Sequence, residues 1–416
     1  MREMKDSGIV WIGAIPKRWQ LSKIGSLYTQ RNEKVSDKEY RPLSVTMQGI
    51  LPQLATAAKT DDGDNRKLVR VGDFAINSRS DRRGSCGISP LDGSVSLINI
   101  ILTPRTAMHP GYYNWLFHTT LFADEFYKWG HGIVADLWTT RWQEMKSITV
   151  PVPEYAEQER IAAFLDAECA EIDAVLEKTR ASIEEYKKLK QAVITQAVTK
   201  GVRGDRPMKD SGIEWIGDIP AEWEVVPFSK FARVSANLVN PSDYQDYLQV
   251  SPENIEKDSG KLLPCKTVSE VGVESWNHLF HKGQILYSKI RPKLNKVCIA
   301  PFDGLCSADM YPIDTDNVSK FVVYTMLSND FYQQVAMITE NRVKMPKINQ
   351  KELSKLIVVL PANRMEQQEI VDYLDDKCGR IDALIVKKQQ YLTEIENYKK
   401  SLIYEYVTGK KEVHPL

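Results

Sequence analysis

The chain says the same thing twice. Residues 4–19 read MKDSGIVWIGAIPKRW and residues 208–223 read MKDSGIEWIGDIPAEW, identical at twelve of sixteen positions. A second echo closes each half. EQERIAAFLDAECAEIDAVLEK from Glu157 matches EQQEIVDYLDDKCGRIDALIVK from Glu366, and the register holds without a gap to Val198-Thr199 and Val407-Thr408. A period of about half the chain marks a duplicated module rather than a solenoid, so each half is expected to do the same kind of work.

The 416 residues leave room for two or three domains, each with its own core. No apolar run approaches the roughly 18 residues of a membrane span, and MREMKDSG lacks a secretory h-region. The cysteines (Cys86, Cys169, Cys265, Cys298, Cys306, Cys378) form no CxxC pair and no zinc spacing. Cys169 and Cys378 are repeat-equivalent and fall on apolar helical positions, as small buried hydrophobes do. These features point to a reducing cytoplasm and no membrane partner. The formal charge of zero argues against a uniformly basic surface. It does not argue against nucleic-acid binding, which depends on local distribution: acids crowd the helical segments while several loops are basic.

Residues 1–20 form an aromatic arm, 21–153 a first globular domain, 154–202 a first long helix, 203–224 a linker with the second arm, 225–361 a second domain, and 362–416 a second helix and tail. Both domains have mixed character. Strand-like runs are SLINIIL from Ser96, SITVPV from Ser147, Ile285-Leu286-Tyr287 and LIVVL from Leu356. One aromatic-rich helical patch is expected over residues 112–129 and its counterpart over 320–338. The interiors match poorly between halves; the frame is kept while they are rewritten.

The helices carry a heptad seam. Leu165, Cys169, Ile172, Leu176, Thr179 and Ile183 recur at steps of four and three, as do Leu374, Cys378, Ile381 and Ile385, with Leu392 one heptad further and Glu and Lys filling the outside. A helix of about forty residues reaches about 60 Å. Two with matching seams most simply bury each other, antiparallel because a whole domain separates them, which sets the domains at opposite ends. The other possibility is that each helix packs on its own domain. The expected class is α+β: two globular mixed α/β domains joined by two long antiparallel helices in a coiled coil, with pseudo-two-fold duplication. The arms, with Trp11, Ile12, Ile15, Pro16, Trp19 and Trp215, Ile216, Ile219, Pro220, Trp223, are too broken by Gly and Pro for a regular element. Their duplication suggests docking, the first copy near the end of the second helix; the alternative is a chain end covering its own domain.

Catalytic signatures are scarce. Ser259-Gly260-Lys261 lacks the rest of a phosphate loop, and Gly130-His131-Gly132 lacks the third glycine of a dinucleotide turn. There is no Asn-Pro-Pro-aromatic tetrapeptide of the kind base methylases use. Asp375-Asp376-Lys377 resembles a nuclease fragment but sits in the second heptad helix, where a solvated face explains it. His278 and His281 read as a surface loop without a metal-binding carboxylate.

What the domains offer is basic clusters with amide and hydroxyl neighbours. In the first, Arg66, Lys67 and Arg70 precede a strand, and Asn77, Ser78, Arg79, Ser80, Arg82 and Arg83 follow it. In the second, the corresponding stretch is Ser288, Lys289, Arg291, Lys293, Asn295 and Lys296, with Gly72 and Gly283 anchoring the comparison. A later pair of loops holds Thr139, Thr140, Arg141 and Gln143, and Arg342, Lys344, Lys347, Asn349 and Gln350. Arg and Lys neutralise phosphates, and Arg, Asn and Gln read base edges. Any single cluster is more often a solvated surface; equivalent placement in both halves points to DNA.

These motifs, in this order and over essentially the whole chain, resemble the specificity subunit of Type I restriction-modification systems. The resemblance rests on the two MKDSGI arms, Pro153 or Pro361 before EQERIAAFLD or EQQEIVDYLD, IDAVLEK or IDALIVK, and AVITQAVTKG or SLIYEYVTGK. VTKG against VTGK is a small departure at the helix exit. The resemblance implies two target recognition domains, each reading half of a split double-stranded DNA sequence, with the helices as ruler. It implies two modification subunits docked on helices and arms, methylating adenine with S-adenosylmethionine, and restriction subunits, motor-nucleases using ATP and Mg, that cut unmodified DNA. This chain would bind no cofactor or metal and catalyse nothing. Half-sites read from one face of the duplex would be centred about 34 Å apart, and dissimilar domains imply an asymmetric target. Two other readings stay open: a self-contained methyltransferase or nuclease, which would turn over alone, and a coiled-coil protein-binding scaffold, whose DNA affinity would be weak and insensitive to salt.

Overall fold

The computed structural model describes residues 2–54, 62–132, 138–342 and 346–413, and divides into two compact units, Met1–Arg180 with Gln390–Leu416, and Ala181–Gln389. Each unit holds one β-rich domain and part of both long helices, Tyr155–Lys200 and Arg364–Val407.

In the first unit the domain opens and closes on one antiparallel pair, Gln20–Lys23 with Thr149–Val152, so entry and exit lie side by side. Between them stand a four-stranded sheet, Cys86–Ile88, Phe74–Asn77, Asn99–Pro104 and Tyr28–Arg31, and a three-stranded one, Gly93–Val95, Arg66–Val69 and Lys34–Val35. The expected aromatic helix is two, Pro110–Phe117 and Thr120–Lys128. The break has a local cause: the Thr119 hydroxyl accepts from the Phe122 N–H and starts a new helix. Spacing of four residues within each helix then puts Tyr113 and Phe117, and Phe122 and Phe126, into one core with Tyr28 and Phe74. Burying each such ring contributes roughly 1.5–3 kcal/mol.

The second unit repeats this plan. Glu224–Pro227 pairs with Ile357–Leu360. A four-stranded sheet runs Arg233–Val234, Met310–Asp314, Ile285–Ser288 and Val297–Ile299. A five-stranded sheet runs Leu238–Val239, Asn277–Phe280, Gly304–Cys306, Leu248–Val250 and Lys266–Thr267. Here the Ser328 hydroxyl accepts from Phe331 N–H and splits the helical patch into Ser319–Leu327 and Asn329–Thr339.

The long helices run antiparallel within each unit. In the first, the Phe164 and Tyr406 rings lie 4.4 Å apart, Asp173 pairs with Lys399 at 2.6 Å and Arg180 with Glu396 at 2.6 Å, numbers rising on one helix as they fall on the other. In the second, Lys388 lies 5.7 Å over the Tyr186 ring and Lys190 pairs with Asp382 at 2.8 Å. Of the seam residues, Leu165, Leu176, Ile183, Leu374 and Ile381 are buried, as are Cys169 and Cys378. Ile172, Ile385 and Leu392 are half-buried.

The arms dock at helix ends. In the first unit Ile12 O accepts from Tyr404 Oη at 3.0 Å and Lys410 Nζ at 2.6 Å. A Cβ on Gly409 would lie 2.5 Å from Pro16, so the helix exit takes glycine there, in a left-handed conformation at φ 72°. In the second, Gly201 (φ 75°) takes that role one residue later in register, beneath the Trp223 ring. The VTKG and VTGK exits are two ways of placing one glycine under an arm.

Candidate nucleic-acid interface

In the first domain the strand Phe74–Asn77 ends in a loop that carries Arg79, Arg82 and Arg83 before the return strand Cys86–Ile88. Asn77 is buried and its Oδ1 accepts from Arg79 N–H at 3.0 Å. A single 3-10 turn follows, closed by Arg82 N–H on Arg79 O, and Ser85 N–H then donates to Arg82 O. The later loop is laced to this one: Thr140 N–H donates to Ser78 O, Ser80 N–H to Trp138 O, and Thr139 bridges Arg79, each hydrogen bond at 3.0 Å. Arg141 follows at once. Clusters about sixty residues apart in sequence therefore share one surface. Arg83 pairs with Asp124 and Arg82 approaches Asp81 at 3.7 Å. Arg79 and Arg141 are exposed, with no ion pair among the described residues. The Gly130-His131-Gly132 loop supports this surface: a Cβ at Gly130 would meet the Trp138 indole at 2.2 Å, and that indole donates to Tyr127 O.

The second domain builds the same junction from different residues. Strand Ile285–Ser288 leads into Lys289, Arg291 and Lys293, and Val297–Ile299 returns. Arg291 N–H donates to Pro346 O at 2.8 Å, Ile348 N–H to Lys289 O at 2.9 Å, and Ile290 bridges Lys347. Gly84 and Asn295 each stand two residues before the return strand with positive φ, 77° and 44°, and Arg291 also adopts φ 45°. Asn enters the left-handed region easily; an Arg there is strained, and the two backbone bonds to the later loop hold it. Arg291, Lys293 and Lys347 are exposed with no ion pair among the described residues.

Other basic residues of these clusters are taken up by partners within the protein. Arg66 is 4% exposed, and its guanidinium donates to Ser94 Oγ at 2.8 Å and Ser94 O at 3.0 Å, with burial lowering its pKa. Strand alternation places it on the same face as buried Leu68. Lys67 Nζ donates to Asn99 O at 2.6 Å. Arg70 pairs with Asp92 at 2.9 Å and lies over the Tyr40 ring. Lys296 Nζ donates to Pro252 O at 2.6 Å. Arg342 pairs with Glu352 and reaches Lys347 O, bracing the later loop. Lys289 is half-buried, 5.4 Å from the Tyr311 ring centroid. Lys344 lies outside the described residues. His278 is not in a surface loop: it is buried in strand Asn277–Phe280, while His281 is exposed and approaches Asp303. Asp375 binds Lys320 and Tyr324 on the flank of the second long helix.

Residues that position these domains were missed in the sequence. Arg2 and Trp19 Nε1 both donate to Glu157, at 2.8 and 2.9 Å, and the Arg2 guanidinium sits 5.3 Å from the Trp19 ring centroid. Arg206, Trp223 and Glu366 repeat the ion pair and the ring contact, with Arg206 to Glu366 at 2.5 Å and Arg206 5.3 Å from the Trp223 ring, but Trp223 Nε1 does not reach the carboxylate. Each pins an arm to the first turn of a long helix. The signal was present: an Arg stands two residues before Met-Lys-Asp in both copies.

Two β-rich domains carried on two long antiparallel helices, duplicated within one chain, are the fold of the DNA specificity subunits called HsdS. A solved structure described as the structural basis of complex assembly and conformational transition of the type I R-M system matches at TM-score 0.72, over 95% of this chain and 99% of that one, with 14% identity. The HsdS subunit from Thermoanaerobacter tengcongensis matches at TM-score 0.51 over 95% and 98%, with 15% identity. Residues 222–396 match the family model described as Type I restriction modification DNA specificity domain. The EcoDI specificity subunit of Escherichia coli is 34% identical over 286 residues, 64% of this chain and 63% of that protein. The EcoBI subunit from the same organism is 21% identical over 288 residues, 64% and 59% of the two chains. The matched part thus spans about three-fifths of each curated relative, 63% and 59%. The second half of this chain carries the Type I restriction modification DNA specificity domain, and the chain as a whole has the fold of the solved HsdS structures.

Proposed function

We propose that this chain addresses a Type I restriction-modification complex to DNA, working in the cytoplasm. Each domain reads one half of a bipartite, asymmetric double-stranded target. Two modification subunits, using S-adenosylmethionine, methylate adenine there, and restriction subunits, using ATP and Mg, cut DNA that lacks the mark. Within this chain, Arg79, Arg82, Arg83 and Arg141 in one domain, and Arg291, Lys293 and Lys347 in the other, are the residues we assign to DNA. Lys289 backs the second set from beneath. Arg66, Lys67, Arg70, Lys296 and Arg342 hold loops rather than phosphates.

One observation carries the reading. In both domains two sequence-distant basic loops are hydrogen-bonded into one junction that leaves unpaired cations facing solvent, while the identities of those cations differ. Common scaffolding with unlike side chains suits two readers of unlike half-sites. Joining them on one chain makes the second binding event intramolecular, which raises affinity without new contacts. The test is a map of methylated adenines in a host that carries the partner subunits, with and without this chain. One split, non-palindromic motif should appear only with the chain. Adding one turn to the first long helix should widen the gap and leave both half-sites unchanged. A palindromic motif, or an unmoved gap, overturns the reading.

A further inference from the structure

The second domain presents an indole where a groove-binding surface would use one. Trp276 is 60% exposed although it is one of the largest apolar side chains in the chain. Its exposure does not come from a slack loop. The residue after it, Asn277, is 2% exposed; its Nδ2 donates back to Ser275 O at 2.7 Å, and its Oδ1 accepts from buried Gln249 at 3.0 Å. The Asn277 side chain, itself anchored by Gln249, thus ties down the carbonyl that precedes Trp276. Asn277 also pairs with Val239 in the sheet.

Strand register fixes where the indole stands. His278 lies opposite Cys306 on the antiparallel strand Gly304–Cys306, so the chain before Asn277 runs out beside residues 307–309. Asp309 O accepts from Lys289 N–H at 3.0 Å, at the root of the basic loop that bears Arg291 and Lys293. Lys289 is close enough to His278 to help lower that imidazole's pKa, after burial. The indole stands at the end of the five-stranded sheet and the unpaired cations at the end of the four-stranded one, and residues 307–309, which cross from one sheet to the other, link the two.

We infer that Trp276 is a specificity-determining residue of the second domain that inserts its indole among the bases or sugars of its half-site while the neighbouring cations hold phosphates. This rests on the DNA-addressing reading above. Apolar wedges beside phosphate-binding residues unstack or kink base steps, and a sequence that deforms cheaply is thereby preferred. Trp suits the task because it brings a large flat surface with few rotors to freeze.

The experiment uses the full chain and a pool of random-sequence duplexes. Binding is measured between about 50 and 200 mM salt, and the retained duplexes are sequenced. Trp276→Ala should lose about 10- to 100-fold in affinity for the sequences that the parent chain retains, Trp276→Phe much less. The slope of affinity against salt should stay the same, since no phosphate contact is lost, and the selected consensus should relax at one or two adjacent positions of one half-site only. Lys293→Ala should instead lower the slope by about one. Unchanged affinity and consensus for Trp276→Ala overturns the inference while the parent's salt-dependent binding keeps the wider reading. A parent chain without salt-dependent binding overturns both. A changed slope for Trp276→Ala also overturns the inference, since it would mean that the loop itself had moved.

Discussion

Trp11 and Trp215 stand at the same place in two copies of one arm. Trp11 is 6% exposed, with its ring 5.9 Å from Phe122 in an edge contact; Trp215 is 57% exposed and borders an open cleft in the second unit. The arms do not explain this. The difference lies in what they meet: two residues after the capping Thr119 comes Leu121, which joins the core around Trp11, and two after Ser328 comes Asp330, which lines the cleft beside Trp215. Burial raises the Asp330 pKa, so even this carboxylate is partly withdrawn from water. The duplication fixed the frame twice, and later change in the domain interior decided whether a frame residue became core or surface.

That contrast can be broken directly. Trp11→Ala should destabilise the first unit by about 3–5 kcal/mol, as large-to-small changes in packed cores do. Trp215→Ala should move the second unit by less than about 1 kcal/mol. Denaturant unfolding with a probe in each unit separates the two, because units with separate cores need not unfold as one transition. Equal losses would mean that Trp215 is covered in solution and that the asymmetry is not real.

A second contrast lies between arginines of one basic cluster. Arg66→Met removes donors from buried Ser94 and should cost roughly 1–3 kcal/mol of stability, with no change in the salt dependence of DNA binding. Arg79→Met should alter stability by no more than about 0.5 kcal/mol and lower the salt slope by about one. Titrating both variants with duplex DNA at several salt concentrations checks the pair, and a reversed result would exchange their roles.

The frame was legible in the sequence because it is written in periodic and repeated residues. The heptad steps through Leu165, Leu176, Leu374 and Ile381 named two long helices, and the duplicated arms named their docking sites. The recognition loops were half legible. Clusters at residues 79–83 and 289–293 were visible, but their union with residues 138–141 and 346–348 depends on backbone hydrogen bonds that leave no mark on composition. Arg66 was misleading for a different reason: charge suggested surface, whereas strand alternation with Leu68 would have placed it inside. Trp276 was passed over because a lone aromatic before a strand looks like core until the register beside it is known. Local patterns report burial faces and helix length; they do not report which loops meet.

The smallest contrast separates two imidazoles, His118, half-buried, and His278, buried. Burial lowers the pKa of both His118 in the first unit and His278 in the second. For His118 the shift is opposed by backbone hydrogen bonds, including Nδ1 to Asn114 O at 2.6 Å, which favour the protonated ring. For His278 the second influence, Lys289, acts in the same direction as burial, and its buried Nδ1 has no hydrogen-bond partner. A ring whose folded pKa is depressed binds protons more readily once unfolded. Its contribution to stability is therefore complete above the ordinary imidazole pKa and is lost as pH falls below it towards the folded value. Both units should weaken between about pH 7.5 and about pH 5. His278→Gln should flatten that part of the second unit's pH dependence, and His118→Gln should do the same in the first. A second unit whose pH dependence survives His278→Gln intact would move the proton uptake to another group, and would remove the electrostatic link between this strand and Lys289 at the base of the recognition loop.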